Sequence, residues 1–206
     1  MGIGINTGEV VVGNIGSERR ASYGAVGTPI NAAYRIESFT VGGQILISPS
    51  TYEKVQSRVS IIGTKEVKFK GLDQPVCLYD VAGIGQPYRV FLPEKKADPL
   101  TRLNPPLPIE CFLLEGKTVS DNAIAGRITG LGKNAAEVAL DHSIEAYANL
   151  KILLASPEAA GFSEFYAKVM PKEVSDETPS DNRRRLEFTS MPQDVRQFVD
   201  KAVLKK

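Results

Sequence analysis

The sequence predicts an α+β fold in two parts: a partial mixed sheet with two helices on one face, then a small all-β barrel or sandwich with a C-terminal helix. Three observations predict it. Residues 1–87 alternate short apolar runs of strand character with two segments that carry helix-start signals. Between residues 88 and 108 stand five of the chain's 13 prolines: Pro93, Pro99, Pro105, Pro106 and Pro108. Beyond them, short apolar runs are separated by glycine, asparagine and proline, the rhythm of an antiparallel all-β unit. The expected organisation is therefore 1–87, a proline-rich linker over 88–107, and a second domain over 108–206.

The elements follow in order. Residues 2–6 alternate apolar positions, meet the turn pair Thr7-Gly8, and are followed by three valines, which reads as a tight hairpin. Gly27-Thr28-Pro29 opens a helix, because Thr28 can cap the first amides and Pro29 has no amide to leave unpaired in the first turn. That helix should run to about Ser38 and stop before Gly42-Gly43. QILIS at 44–48 reads as a strand, and Ser50 and Glu53 have capping-box spacing for a short second helix. Residues 65–70 and 76–81 fit strands of one mixed sheet packed against the helices. Proline cannot donate to a strand ladder, so 88–107 reads as an extended linker. Six apolar runs follow, at 109–114, 127–131, 137–140, 150–155, 165–170 and 186–188. Pro192 opens a last helix in which Val195, Phe198, Val199 and Val203 share a side and plug or flank the barrel.

Composition narrows the function classes. Lys and Arg total 25 against 24 Asp and Glu, and neither half carries the positive field of a general nucleic-acid binder. Arg183, Arg184 and Arg185 form the one dense basic cluster and read as a solvated strand edge. No apolar run reaches the ~18 residues of a membrane span, and the N-terminus has no signal-peptide pattern, so a cytoplasmic location is expected. Cys77 and Cys111 lie in apolar runs as small buried hydrophobes. With 2 cysteines and 1 histidine, thiolate and imidazole metal clusters cannot be assembled, and a metal would need carboxylates.

Asn31 and Arg35 are four apart, hence on one face of the first helix, offering a neutral amide and a forked cation. Spacing alone makes such a pair uninformative. Its setting is specific: INTGEVVVGNIG, the Gly27 turn, INAAYRIE and QILIS occur in the order found in the second half of class III adenylate/guanylate cyclase catalytic domains, which residues 1–87 resemble. The resemblance implies a ferredoxin-like mixed sheet. It also implies that Asn31 orients a ribose and Arg35 stabilises the phosphoryl transition state when a 3′-hydroxyl closes onto the α-phosphate of ATP or another purine nucleotide. Lys70, in VKFKG, matches the lysine that meets the triphosphate. Arg19 and Arg20, after the glycine-containing stretch 14–17, read first as solvated loop residues, with Arg19 a candidate phosphate contact. Gly24, after Tyr23, stands where the family reads the base, and has no side chain with which to read it.

The family's two metal-binding aspartates lie upstream of the segment matching GIGINTG, and Glu9 and Glu18 match neither. Magnesium or manganese is thus implied for a complete enzyme, and none is expected for this chain alone, which should be inactive in isolation. The alternative is a non-catalytic regulatory or nucleotide-binding adaptor. A homodimer, or pairing with another cyclase domain, is implied by the family's interfacial active site. The stretch IECFLLEGKTVSDNAIAGRITGLGKNAAEVAL resembles the start of a PilZ-like barrel. There the cyclic di-GMP motif departs from pattern: Arg127 stands at the Asp/Asn position, Thr129 at the serine and Gly132 at the glycine, while Arg102 lacks a second arginine four residues away. A docking role without tight cyclic di-GMP binding is expected.

Overall fold

The computed structural model describes all residues except 1, 18–19, 70–73, 95–97, 117, 156–160, 162–163, 173–181 and 205–206, together with the side chains of 202–204. It divides into two compact units, Met1–Glu94 and Lys95–Lys206.

The first unit is built on a mixed sheet in the order β1 (Ile3–Ile5), β4 (Ile45–Ile47), β6 (Val76–Ile84), β5 (Val59–Val67), with the short β7 (Val90–Phe91) also paired to β6. β1 and β4 run parallel, and β6 is antiparallel to β4, β5 and β7. Helix α1 (Thr28–Ser38) crosses over β1 and β4, and α2 (Pro49–Val55) lies against β6. Ile36, Leu46, Ile47, Leu78 and Val81 are buried between them, which is where the burial free energy of this unit comes from. The helix can sit this close because position 4 has no side chain. A Cβ on Gly4 would fall 2.2 Å from the Glu37 amide nitrogen and 2.7 Å from the Ala33 carbonyl oxygen.

Three local expectations are corrected. The hairpin is β2 (Val11–Ser17) with β3 (Arg20–Val26), not residues 2–13; β1 pairs instead with β4. Side-chain bonds explain the change: Ser50 Oγ donates to the Thr7 carbonyl at 2.9 Å and the Thr7 and Thr51 hydroxyls meet at 3.0 Å, so the Thr7-Gly8 pair is tied to the start of α2. The glycine-containing stretch 14–17 belongs to β2, and Arg20, expected in a loop, opens β3. The caps shift as well. Gly27 precedes α1 and no side chain caps it, while α2 is capped by Ser48, whose Oγ accepts from the Thr51 amide at 3.2 Å, rather than by Ser50.

The second unit is a closed antiparallel barrel in the order β10 (Ala135–Leu140), β13 (Arg183–Ser190), β12 (Phe165–Val169), β11 (Asn149–Leu154), β8 (Thr101–Glu115), β9 (Thr118–Leu131). All six apolar runs are its strands. Period-2 alternation turns Ile109 and Cys111, Ala136, Val138 and Leu140, Leu150 and Ile152, and Phe165, Ala167 and Val169 into one core. Phe165 meets Phe188 edge-on at 5.7 Å. Helix α3 (Gln193–Leu204) contributes Val195 and Val199 to the same core, with Phe198 packed against it; Val203's side chain lies outside those described.

The stretch read as a linker is the largest difference. β8 begins at Thr101, so Pro105, Pro106 and Pro108 lie within a strand. The reason is positional: pairing of β8 with β9 shifts between Arg102 and Leu107, and β11 pairs only from Ile109 onwards. Pro105 and Pro106 therefore stand in a bulge, where a missing amide breaks no ladder bond.

Candidate functional site

The segment that carries the Asn31–Arg35 pair is held by polar contacts at both ends. At its start, Asn6 Nδ2 donates to the Pro29 carbonyl at 3.0 Å, and Asn6 Oδ1 lies 3.2 Å from Ser50 Oγ, sharing its hydroxyl hydrogen with the Thr7 carbonyl. These bonds fasten the end of β1, the first turn of α1 and the first turn of α2 together. At the other end, Ser38 Oγ donates to the Arg35 carbonyl at 2.7 Å, and the Glu37 carbonyl accepts from both Thr40 Oγ1 at 2.6 Å and the Thr40 amide at 2.8 Å, so side chains help to satisfy the last-turn carbonyls.

With Ile36 turned into the core, α1 leaves Asn31, Tyr34 and Arg35 exposed. Asn31 and Arg35 are one turn apart on the same face. Arg35 lies in the last turn, where a cation also meets the negative end of the helix dipole. The face thus offers a neutral amide, a phenol and a guanidinium in a short row, all open to an incoming ligand.

The other expected contacts divide. Gly24 sits mid-strand in β3 opposite Gly13 of β2, and a Cβ there would meet only Ile15 Cδ1 at 3.4 Å. Its neighbour Tyr23 is 78% exposed. Lys70 and Arg19 lie outside the described residues. Among the described residues no group of three or more His, Cys, Asp or Glu side chains is placed to hold a metal ion. The described carboxylates of this unit therefore do not by themselves fit the implied magnesium or manganese.

The sequence did not disclose a concave surface on the barrel, of about 850 Å³, whose lining includes Arg102, Thr129, Glu137 and Arg183. The signal that marks it is the Asn104-Pro105-Pro106 run, a stretch suited to a bulge as well as to a linker.

Comparison with known proteins bears on the first unit. Residues 1–83 match the family described as the adenylate and guanylate cyclase catalytic domain. An uncharacterized protein of Mycobacterium tuberculosis (strain H37Rv) is 34% identical over 94 residues, which is 43% of this chain and 17% of that protein. Adenylate cyclase 1 of Rhizobium meliloti is 31% identical over 83 residues, 39% of this chain and 12% of the relative. The chain thus spans less than a fifth of the length of these relatives. The crystal structure of the guanylyl cyclase Cya2 is 57% identical with a TM-score of 0.42, covering 44% of this chain and 46% of that one. The first unit thus contains the segment that matches this family, and the closed six-stranded barrel follows it along the chain.

Proposed function

We propose that the first unit supplies the ribose-orienting and phosphate-stabilising half of a purine nucleotide cyclase site, with Asn31 and Arg35 in those two roles and Lys70 and Arg19 as further phosphate contacts. The observation that carries this reading is the row Asn31–Tyr34–Arg35, exposed on α1 inside the segment that matches the cyclase catalytic domain. Closing a ribose hydroxyl onto phosphorus builds negative charge on the phosphoryl oxygens. A guanidinium held on a helix meets that charge without reorganising. With no side chain at Gly24, selection between ATP and GTP falls to backbone groups or to residues beyond this unit.

The metal-binding carboxylates would come from outside the described residues of this unit, from the rest of a longer chain or from a partner domain. The chain alone should then bind a nucleotide without turning it over. A second reading, a regulatory unit that binds nucleotide without catalysis, is favoured by the lack of a carboxylate cluster among the described residues. Pairing of two cyclase-type units, first as a homodimer, belongs to either reading. We also read the barrel as PilZ-like and without tight affinity for cyclic di-GMP, because Arg127 puts a cation where the motif needs a carboxylate or amide.

The test is nucleotide binding followed by turnover. A fluorescent ATP or GTP analogue should bind the full chain, and Arg35→Ala should weaken that binding at least several-fold. Purified chain with manganese and either triphosphate should form no cyclic nucleotide. Equal analogue affinity for the wild type and Arg35→Ala would remove Arg35 from the site. Cyclic nucleotide formed by wild type and lost in Arg35→Ala would show that the chain supplies its own metal ligands.

A further inference from the structure

The outer face of the barrel carries a groove whose chemistry differs from that of the α1 site. Strand register sets its floor. Arg102 of β8 is paired with Gly130 of β9, and Gly130 in turn with Glu137 of β10. At the ~4.8 Å spacing of neighbouring strands, Arg102 and Glu137 stand about 10 Å apart. The residue between them has no side chain. A Cβ on Gly130 would already touch Glu137 Cβ at 3.4 Å and Leu100 Cβ at 3.5 Å, so any larger group there would fill the groove.

Two irregularities shape the walls. The bulge between Arg102 and Leu107 lifts Leu103 and Pro106 into an apolar rim. The register of β9 with β10 also shifts, between Glu137 and Val138, leaving Thr129 as the extra residue. Its Oγ1 lies 2.7 Å from Glu137 Oε1, to which it donates, and Arg183 Nη1 stands 4.0 Å from that same oxygen. Both contacts fall on Oε1, which leaves Oε2 for a ligand's donor. The volume of this open groove, about 850 Å³, is in the range that holds a small organic ligand.

Two guanidiniums and one carboxylate leave the groove with a net single positive charge. That balance suits a monoanion. A multiply charged phosphate would be drawn by Arg102 and Arg183 but repelled by Glu137. The same carboxylate asks the ligand for N–H donors, and the apolar rim asks for a flat body. A guanine edge offers two adjacent donors, a ring N–H and an amine, to a carboxylate, whereas adenine sets its single amine beside a ring-nitrogen acceptor that the carboxylate repels.

We infer that this groove is a binding site for a monoanionic cyclic guanine mononucleotide of the 3′,5′-cyclic GMP class, its phosphate on Arg102 and its base edge on Glu137, the carboxylate that Arg183 flanks. The monoanion-plus-donor chemistry stands on the barrel alone; the choice of a cyclic nucleotide rests on the cyclase reading of the first unit. Such a site lets the chain sense a cyclase product on a domain separate from the one that would make it.

Calorimetry on the full chain tests this with cyclic GMP, cyclic AMP, linear GMP, inorganic phosphate and cyclic di-GMP as probes. Cyclic GMP should bind at least tenfold tighter than each of the others. Arg102→Ala should weaken it at least tenfold, Gly130→Val should abolish it, and Glu137→Gln should erase the preference over cyclic AMP. The Glu137→Gln chain keeps a hydrogen-bonding partner for Thr129, and an unchanged circular dichroism spectrum and melting temperature would confirm its fold. No binding of cyclic GMP, binding of phosphate, GMP or cyclic di-GMP as tight as that of cyclic GMP, or affinity indifferent to both Arg102→Ala and Gly130→Val would overturn the proposal. Cyclic GMP binding as expected, with triphosphate binding indifferent to Arg35→Ala, would instead sink the cyclase reading and leave the groove standing.

Discussion

Arg35 and Cys111 show how differently two single residues can be tested. Arg35 is exposed in the last turn of α1, so its removal should cost the fold only the fraction of a kcal/mol that a cation gives a helix C-terminus, about 0.3–1 kcal/mol. In a longer, active protein the same change removes a group whose charge matters most as negative charge grows during the reaction. Arg35→Ala should there lower kcat by about 10²–10³-fold, roughly 3–4 kcal/mol, a far larger loss than its several-fold effect on ground-state binding. Asn31→Ala should lower it less, and a kcat/KM equal to wild type for Arg35→Ala would exclude the role. Cys111 sits inside the barrel, fully buried, and burial pushes its thiol up to about 12 from 9.0. The sign follows directly. Below pH 9 both folded and unfolded thiols are protonated and stability is unaffected; between 9 and about 12 only the unfolded thiol ionises, so stability falls as pH rises, by up to ~1.4 kcal/mol per pH unit. Burial raises Tyr147 as well, and it acts in the same direction. Urea titrations over this range should show the slope, shallower in Cys111→Ala. Iodoacetamide at pH 8 should label Cys111 only in denaturant.

At the scale of elements, caps and close approaches decide more than propensity does. Ser48→Ala removes the side-chain acceptor of the Thr51 amide and should destabilise the first unit by about 1 kcal/mol, read as a lower melting temperature. Gly4→Ala should do more, since α1 would have to lift off β1 to clear a 2.2 Å contact. Much of this architecture was legible beforehand. Pro29 marks the start of α1, the Ser50–Glu53 spacing points to a short second helix although its cap is Ser48, and the six apolar runs all became barrel strands, because alternation and helix-start signals act locally. What was not legible depends on distant partners. Thr7-Gly8 looks like a hairpin turn until Ser50 and Thr51 are known to lie beside it. Pro105 and Pro106 look like a linker until the unpaired side of β8 is seen. The same holds for the sites. Asn31 and Arg35 could be paired from spacing because one helix carries both. Arg102, Gly130 and Glu137 come from three strands and meet only through register.

For the whole molecule, each unit has its own buried core, so calorimetry should resolve two transitions, and substitutions in the barrel such as Val195→Ala should move only one of them. The first unit has a further property that the barrel lacks. The barrel closes on itself and leaves no strand edge, whereas β1 ends its sheet with one side unpaired among the described residues. The β2–β3 hairpin pairs with no other described strand, and exposes Val11 (72%), Val12 (54%), Ile15 (42%) and Tyr23 (78%). An apolar two-stranded ribbon is at best marginally stable in water, and covering both of its faces removes that surface from solvent. Pairing with a second copy of this unit would do so symmetrically, as the cyclase reading expects. Val12 and Tyr23 share one face of the ribbon, given the pairing of Val12 with Ala25 and of Asn14 with Tyr23. Sedimentation at tens of micromolar should therefore find a reversible dimer. Val12→Lys with Tyr23→Lys should return it to monomer while both melting transitions survive. A wild-type chain that sediments as a compact monomer of about 22 kDa at that concentration would show that the ribbon needs no cover and that the pairing is not a property of this unit.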